Sequence, residues 1–492
     1  MDMFFSTRGD QKGVQAPEAV LRGIAPDGGL YTPAQIPAID PAEFIDADFR
    51  AMAKRILGAY LCGYTQAEID RCVDQAYDEK FDTPAITPLK AVGDKYMLEL
   101  FHGPTAAFKD VALSILPRLM RCAMEKENRE DEILILTATS GDTGSAALTG
   151  FSDVPGVRII VFYPEKGISP IQRAQMTTMK GENVGVCAIT GNFDDAQTGV
   201  KRIFTGISPE FCRENRLSLS SANSINIGRL APQIVYYYSA YLDLVRMGRI
   251  AMGDKVNFSV PTGNFGDILA GYLACLSGLP VGMLICGSNA NNVLTDFLAD
   301  GTYDRRREFM VTTSPSMDIL VSSNLERLLY LALDRDGAAV AERMANLQQQ
   351  GSYTMPEEAM ARIREKFTGE CADDAAALET IGRVFAEHGY VMDPHTAVAW
   401  KAAENYAAKT GDGSPCVVLA TASPYKFPQS VLSGLKAEVP ADAAAQTALL
   451  ERLSNTAAPA PLAGVLDRPV RFNDVVAPEE MMNYVLGKAA KA

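Results

Sequence analysis

Short, unbroken apolar runs recur along the chain at 97–101, 133–137, 157–163, 184–189, 256–260, 281–285 and 416–420, separated by segments with helical patterning. Each run is too short for a helix and too continuous for a strand with one wet face. The pattern predicts parallel strands buried on both faces. Strand and helix alternate from about residue 95 onward, which predicts an α/β architecture of two open, twisted, mostly parallel sheet domains with a cleft between them. Ahead of them, residues 1–92 mix turn-rich pieces (Ala25-Pro26-Asp27-Gly28-Gly29, Pro33, Pro37, Pro41) with helical stretches at 49–60 and 65–77, giving a mainly helical N-terminal domain. The expected divisions are a smaller α/β domain at 93–235, a larger one at 236–438, and an Ala/Pro-rich connector and tail at 439–492. No internal repeat is present.

Composition narrows the classes of partner. A chain of 492 residues with 47% hydrophobic and 22% charged residues is ordinary globular material with room for two or three domains. Its net charge of −14, without a compensating Lys/Arg run, opposes binding to nucleic acid or an anionic membrane. An anionic ligand must therefore be captured by a local pocket. No apolar run reaches the length of a membrane span, and the N-terminal residues lack a basic stretch followed by an apolar one. The nine cysteines form no Cys-x-x-Cys pair and have no histidine in ligand spacing. They read as reduced thiols of a cytoplasmic protein, and no metal site is expected. The three histidines, His102, His388 and His395, read as structural or wall residues.

Three segments carry candidate chemistry. In Leu98-Glu99-Leu100-Phe101-His102-Gly103-Pro104-Thr105-Ala106-Ala107-Phe108-Lys109-Asp110, one lysine follows a strand and a Gly-Pro turn and precedes an apolar helix. Such a lysine is partly shielded, which favours the neutral amine that attacks carbonyls. The strand at 132–137 runs into Ser140-Gly141-Asp142-Thr143-Gly144, and the strand at 256–260 into Gly263-Asn264-Phe265-Gly266-Asp267. Both are Gly/Ser/Thr-rich loops opening helices, suited to holding anionic groups on backbone N–H donors. Familiar alternatives fail on spacing. A P-loop would need Gly at position 108 and Ser or Thr at 110, where this chain has Phe108 and Asp110. Neither a Gly-x-Gly-x-x-Gly fingerprint nor a Gly-x-Ser-x-Gly elbow occurs at these strands. A shielded lysine with two anion loops is the equipment for pyridoxal 5'-phosphate.

At these residues the sequence closely resembles the threonine synthases, pyridoxal-phosphate enzymes of fold type II (tryptophan synthase β-like). The shared pieces include Ser6-Thr7-Arg8-Gly9, His102-Gly103-Pro104-Thr105 with Phe108-Lys109-Asp110, Thr139 to Gly144, Ser169-Pro170-Ile171-Gln172, Asn223-Ser224-Ile225-Asn226 with Arg229, Gly263 to Asp267, and Thr421-Ala422-Ser423-Pro424 with Lys426-Phe427. The resemblance implies a carbon–oxygen lyase that converts O-phospho-L-homoserine and water to L-threonine and phosphate, as a monomer or homodimer, with the cofactor in the cleft. It implies that Lys109 forms the Schiff base and that Gly263, Asn264, Phe265 and Gly266 bind the cofactor phosphate, with Asp267 opening the helix behind them. Ser140, Gly141, Asp142 and Thr143 would surround the substrate carboxylate, and Asn223, Ser224 and Arg229 would receive the substrate phosphate. Arg8 and Lys166 either add charge to the site or are surface ion-pair residues. Thr421 would face the pyridine nitrogen. Family members with histidine where this chain has Ser423 leave the role of that position open. Two other readings keep the same motifs: a phospho-lyase giving 2-oxobutanoate, and a non-catalytic metabolite-binding protein on this fold.

Overall fold

The apolar runs become the strands of two sheets. The computed structural model describes residues 3–10 and 12–489. The larger sheet has the order Phe367–Cys371, Val281–Ser288, Val256–Pro261, Cys416–Ala420, Lys95–Glu99, Leu89–Val92, parallel throughout except for the last pair. The smaller has the order Val475–Val476, Val184–Ile189, Val157–Pro164, Glu132–Ala138, Leu217–Ser220, all parallel. Every residue of Val256–Pro261 is buried, as is all of Glu132–Ala138 after Glu132. Burial on both faces is why these strands show no polar alternation.

Residues 49–60 and 66–76 form the two expected N-terminal helices. In Phe49–Tyr60 the buried positions are Phe49, Met52, Ala53, Ile56, Leu57 and Tyr60, one apolar stripe at helical spacing, and the Asp48 side chain caps the Ala51 N–H. A Thr65/Glu68 capping box opens Gln66–Ala76. This region also contains a two-stranded antiparallel ribbon, Phe4–Ser6 with Tyr31–Pro33. Its apolar side chains join the same core as the sheets, and the Tyr60 hydroxyl donates to the Leu273 carbonyl at 3.0 Å.

Sheet membership departs from the expected divisions at two places. Lys95–Glu99, expected with the smaller domain, pairs with Cys416–Ala420 in the larger sheet, Val417 opposite Tyr96 and Ala420 opposite Glu99. The segment 439–492, expected as a helix with a connector leading to a tail, does form the helix Ala443–Ser454, but its end then completes the smaller sheet. Val475 and Val476 pair with Ala188 and Ile189, and Met481, Val485 and Ala489 of the last helix enter that sheet's core. A two-residue strand has no period to read, so its contribution is set by packing alone.

This topology focuses loops on one place. Lys95–Glu99, Cys416–Ala420 and Val256–Pro261 are adjacent and parallel, so the segments leaving their carboxyl ends, 100–109, 421–427 and 262–266, emerge side by side. In the smaller sheet the adjacent strands Glu132–Ala138 and Leu217–Ser220 release 139–142 and 221–226. Ligand sites of open α/β sheets lie at such carboxyl ends.

Candidate active site

Lys109 begins the short helix Lys109–Leu113 and is only 8% exposed. The segment before it is sewn to the strand end at Thr421: the Phe108 N–H donates to the Thr421 carbonyl at 2.8 Å, and the Ser423 N–H to the Ala106 carbonyl at 3.0 Å. Asp110 turns back to accept from the Thr105 hydroxyl at 2.6 Å and the Thr105 N–H at 2.8 Å, which fixes the turn. The lysine amine lies 3.5 Å from Oδ2 of Asp142 and 4.4 Å from the Phe108 ring centre. Burial lowers the Lys109 pKa, and the nearby Arg229 and Lys426 charges push the same way against Asp142 and Asp267.

Two rows of unspent N–H donors flank this amine. Among the described residues, the backbone N–H groups of Gly263, Asn264, Phe265 and Gly266 meet no acceptor, although the carbonyls of Gly263 and Asn264 are both bonded, to Ser322 and Asn324. Phe265 makes this loop turn with a φ of 64°, a conformation costly for a side-chain-bearing residue, and its ring is held against Phe367 at 5.5 Å. A Cβ on Gly263 would stand 2.7 Å from the Ser316 carbonyl oxygen, so only glycine fits there. In the second row the N–H groups of Ser140, Asp142 and Thr143 have no acceptor among the described residues, whereas those of Gly141 and Gly144 donate to the Thr139 hydroxyl, each at 2.9 Å. Gly141 has a φ of 136° and lies against Gln172.

Arg229 closes the site. It is buried, donates to the Ala222 carbonyl at 2.9 Å and reaches the Thr143 hydroxyl at 3.5 Å, and among the described residues no carboxylate lies within ion-pair distance of it. Burial pulls its pKa down to about 10. Asp267 is buried behind the first loop, where burial raises its carboxyl to about 6 against the pull of the Ile268 N–H, Lys109 and Arg229. Ser224 borders Gly266, its Cβ 3.5 Å from where a Cβ on that glycine would lie, and Asn223 rides on the same loop. Thr421 is largely buried, and its hydroxyl makes no hydrogen bond among the described residues.

The structure thus draws Lys109, Ser140, Gly141, Asp142, Thr143, Ser224, Arg229, Gly263 to Asp267 and Thr421 around one cleft. Arg8 lies elsewhere, bidentate on Glu326 at 2.9 Å for both bonds, and Lys166 is exposed. Ser423 caps the next turn through the Tyr425 N–H. Sequence reasoning missed three contributors. Lys426 pairs with Asp142, and Ser316 donates to Asp142 Oδ2 at 3.3 Å. The third, His395, accepts the Ser316 N–H on Nε2 at 3.2 Å, so its proton sits on Nδ1, 2.6 Å from Asp393.

The donor set fits a pyridoxal phosphate: a buried amine, and beside it a glycine-bearing cradle of four free N–H groups opening the helix Gly266–Leu276. Residues 3–77 match the family description "Threonine synthase N terminus", 85–422 "Pyridoxal-phosphate dependent enzyme", and 396–485 "Threonine synthase, C-terminal". The human protein "Threonine synthase-like 1" is 38% identical over 444 residues, covering 85% of this chain but 58% of its own length, so the chain spans little more than half of that relative. A threonine synthase of Pseudomonas aeruginosa is 39% identical over 454 residues, 91% of this chain and 94% of its own. The crystal structure of a PLP-bound threonine synthase from Brucella melitensis superimposes with a TM-score of 0.87 at 37% identity, over 100% of both chains.

Proposed function

The chain belongs to the threonine synthase family, and we propose that it converts O-phospho-L-homoserine and water to L-threonine and inorganic phosphate, using pyridoxal 5'-phosphate. The observation that carries the substrate assignment is Arg229, a buried guanidinium with no carboxylate at ion-pair distance among the described residues, though the charge of Asp267 reaches it. A site with one phosphate cradle for a cofactor has no need of a second buried cation. A phosphorylated substrate does, and a guanidinium pairs with phosphate through two parallel hydrogen bonds.

Pyridoxal phosphate supplies an aldehyde for condensation with amines and a ring that spreads negative charge from the substrate carbons. The chain does the rest. Gly263, Asn264, Phe265 and Gly266 hold the cofactor phosphate on their free N–H groups, with the helix dipole behind them. Ser140, Asp142 and Thr143 offer N–H donors to the substrate carboxylate, while Arg229, with Ser224 and Asn223, takes the phosphate to be expelled from Cγ. Lys109 would supply the amine that holds the cofactor. Its neutral amine would take the substrate's Cα proton and move protons at Cβ, and the pKa lowered by burial favours that neutral form. Thr421 would offer the ring nitrogen a hydroxyl rather than a carboxylate, which would weaken charge withdrawal and favour elimination at Cβ–Cγ over transamination. Water then adds at Cβ, and protons returned to Cγ and Cα complete threonine. Cysteines that form no disulfide among the described residues suit a cytoplasmic setting.

The test is to add O-phospho-L-homoserine to cofactor-loaded protein and measure phosphate, threonine and 2-oxobutanoate. Phosphate and threonine in equal amounts are expected; phosphate accompanied by 2-oxobutanoate would make the protein a phospho-lyase.

A further inference from the structure

Two lysines share one carboxylate at the centre of the cleft. Lys426 has no exposed surface; its Nζ lies 2.9 Å from Oδ1 of Asp142 and donates to the Thr105 carbonyl at 2.9 Å. Lys109 sits on the other oxygen, 3.5 Å from Oδ2. Gln172 donates to Oδ1 at 2.8 Å and the Ser316 hydroxyl to Oδ2 at 3.3 Å. Lys426 arrives on the turn Pro424–Lys426, just beyond residues 421–423 that follow the strand Cys416–Ala420, and its second bond anchors the same Thr105 whose hydroxyl and N–H orient Asp110 beside Lys109.

A buried Asp142 with Lys109 as its sole cationic partner would hold that lysine as an ammonium, useless as nucleophile or base. The distances assign the carboxylate otherwise: Lys426 makes the direct contact at 2.9 Å, and Lys109 stands off at 3.5 Å. We infer that Lys426 is a positioning residue that claims the charge of Asp142 for itself and braces the Thr105 turn, leaving the Lys109 amine free to react. The inference rests on Lys109 as the reactive amine of the proposed function, and concerns the protein before cofactor or substrate arrives.

The surroundings agree in direction. Burial favours protonation of Asp142, yet Lys426 first and Lys109 second hold its carboxyl well below the usual carboxylate range. The charged groups facing Lys109 are Asp142, Arg229, Lys426 and Asp267, from four different elements, and the two cations add to burial in disfavouring its ammonium. Lys426 also faces Asp110, a carboxyl that burial raises.

The experiment uses cofactor-free protein. Lys109 is reductively methylated with formaldehyde across a pH series, and its labelling is quantified on the Lys109 peptide. In K426M, where Asp142 falls to Lys109 alone, the labelling midpoint should rise by about one pH unit or more, so that labelling near neutrality slows about tenfold. K426R, which keeps the charge, should label like the parent, and D142N should shift the midpoint downward. A K426M midpoint equal to the parent's overturns the inference. Should K426M fail to fold, a D142N midpoint that does not fall overturns it instead. Expected shifts in a protein that forms no threonine from O-phospho-L-homoserine would uphold this inference and defeat the proposed function.

Discussion

Replacing Arg229 by methionine separates what a buried cation costs the fold from what it gives the site. Burial lowers the Arg229 pKa from 12.5 to about 10. The folded chain therefore holds this proton less tightly than the unfolded chain. Stability rises with pH between those two values, and below them the cost is present in full. At about 1.4 kcal/mol per pH unit the cost is about 3 kcal/mol. Methionine removes it but strands the Ala222 carbonyl that Arg229 now satisfies at 2.9 Å, returning about 1–2 kcal/mol. Without ligand, R229M should thus be more stable than the parent by on the order of 1–2 kcal/mol, an unusual sign for a buried substitution. Its loss appears only with an anion. Two charge-assisted hydrogen bonds to phosphate, at about 1.5–3 kcal/mol each, correspond to a fall in kcat/KM for O-phospho-L-homoserine of about 100-fold or more. Urea midpoints with and without inorganic phosphate, together with steady-state phosphate release, read both quantities. A variant that is less stable than the parent while keeping its kcat/KM would refute both halves of the reasoning.

Two further outcomes follow from single residues. G263A places a methyl group 2.7 Å from the Ser316 carbonyl oxygen, so the turn at 315–317 must move, and spectral titration should show pyridoxal phosphate binding weakened about tenfold or more. Asp267 has a folded pKa of about 6 against 3.8 for the free side chain, so the folded state takes up the extra proton and its stabilising contribution is lost as pH rises through that window. In D267N that component, on the order of 3 kcal/mol, should vanish from the urea midpoint measured against pH, and an unchanged profile would show that Asp267 does not titrate there.

The legible part of the molecule was the part governed by local pattern. Strands such as Val256–Pro261 and Glu132–Ala138 are buried on both faces, so they were written as unbroken apolar runs, and the loops after them carried glycines whose φ values and close approaches demanded glycine. Edge strands were not visible in this way. Leu217–Ser220 reads Leu-Ser-Leu-Ser and Phe367–Cys371 contains Thr, Gly and Glu, because an edge strand needs less apolar cover and is fixed by its neighbour's hydrogen bonds. The same distinction holds in the site. Lys109 stood out by its place between turn and helix, and Asp142 by its loop. Lys426 was visible only as part of a shared motif and carried no role, because its partner is a carboxylate 284 positions away in sequence (426 − 142). Ser316 and His395 belong to segments with no motif and meet only through packing. Arg327 is similar: fully buried, it donates to the carbonyls of Tyr31 and Ile225 and to Asn324, tying the N-terminal ribbon to the loop at 221–226 and, through Asn324, to the loop at 262–266.

The central claim is that Lys109, and not the still more deeply buried Lys426 on the same carboxylate, carries the cofactor. Borohydride reduction of the loaded protein, followed by peptide mass mapping, tests it directly. The account predicts one reduced pyridoxyl group per chain, on the peptide that contains Lys109. A label on the peptide that contains Lys426, or no label after loading, would contradict it.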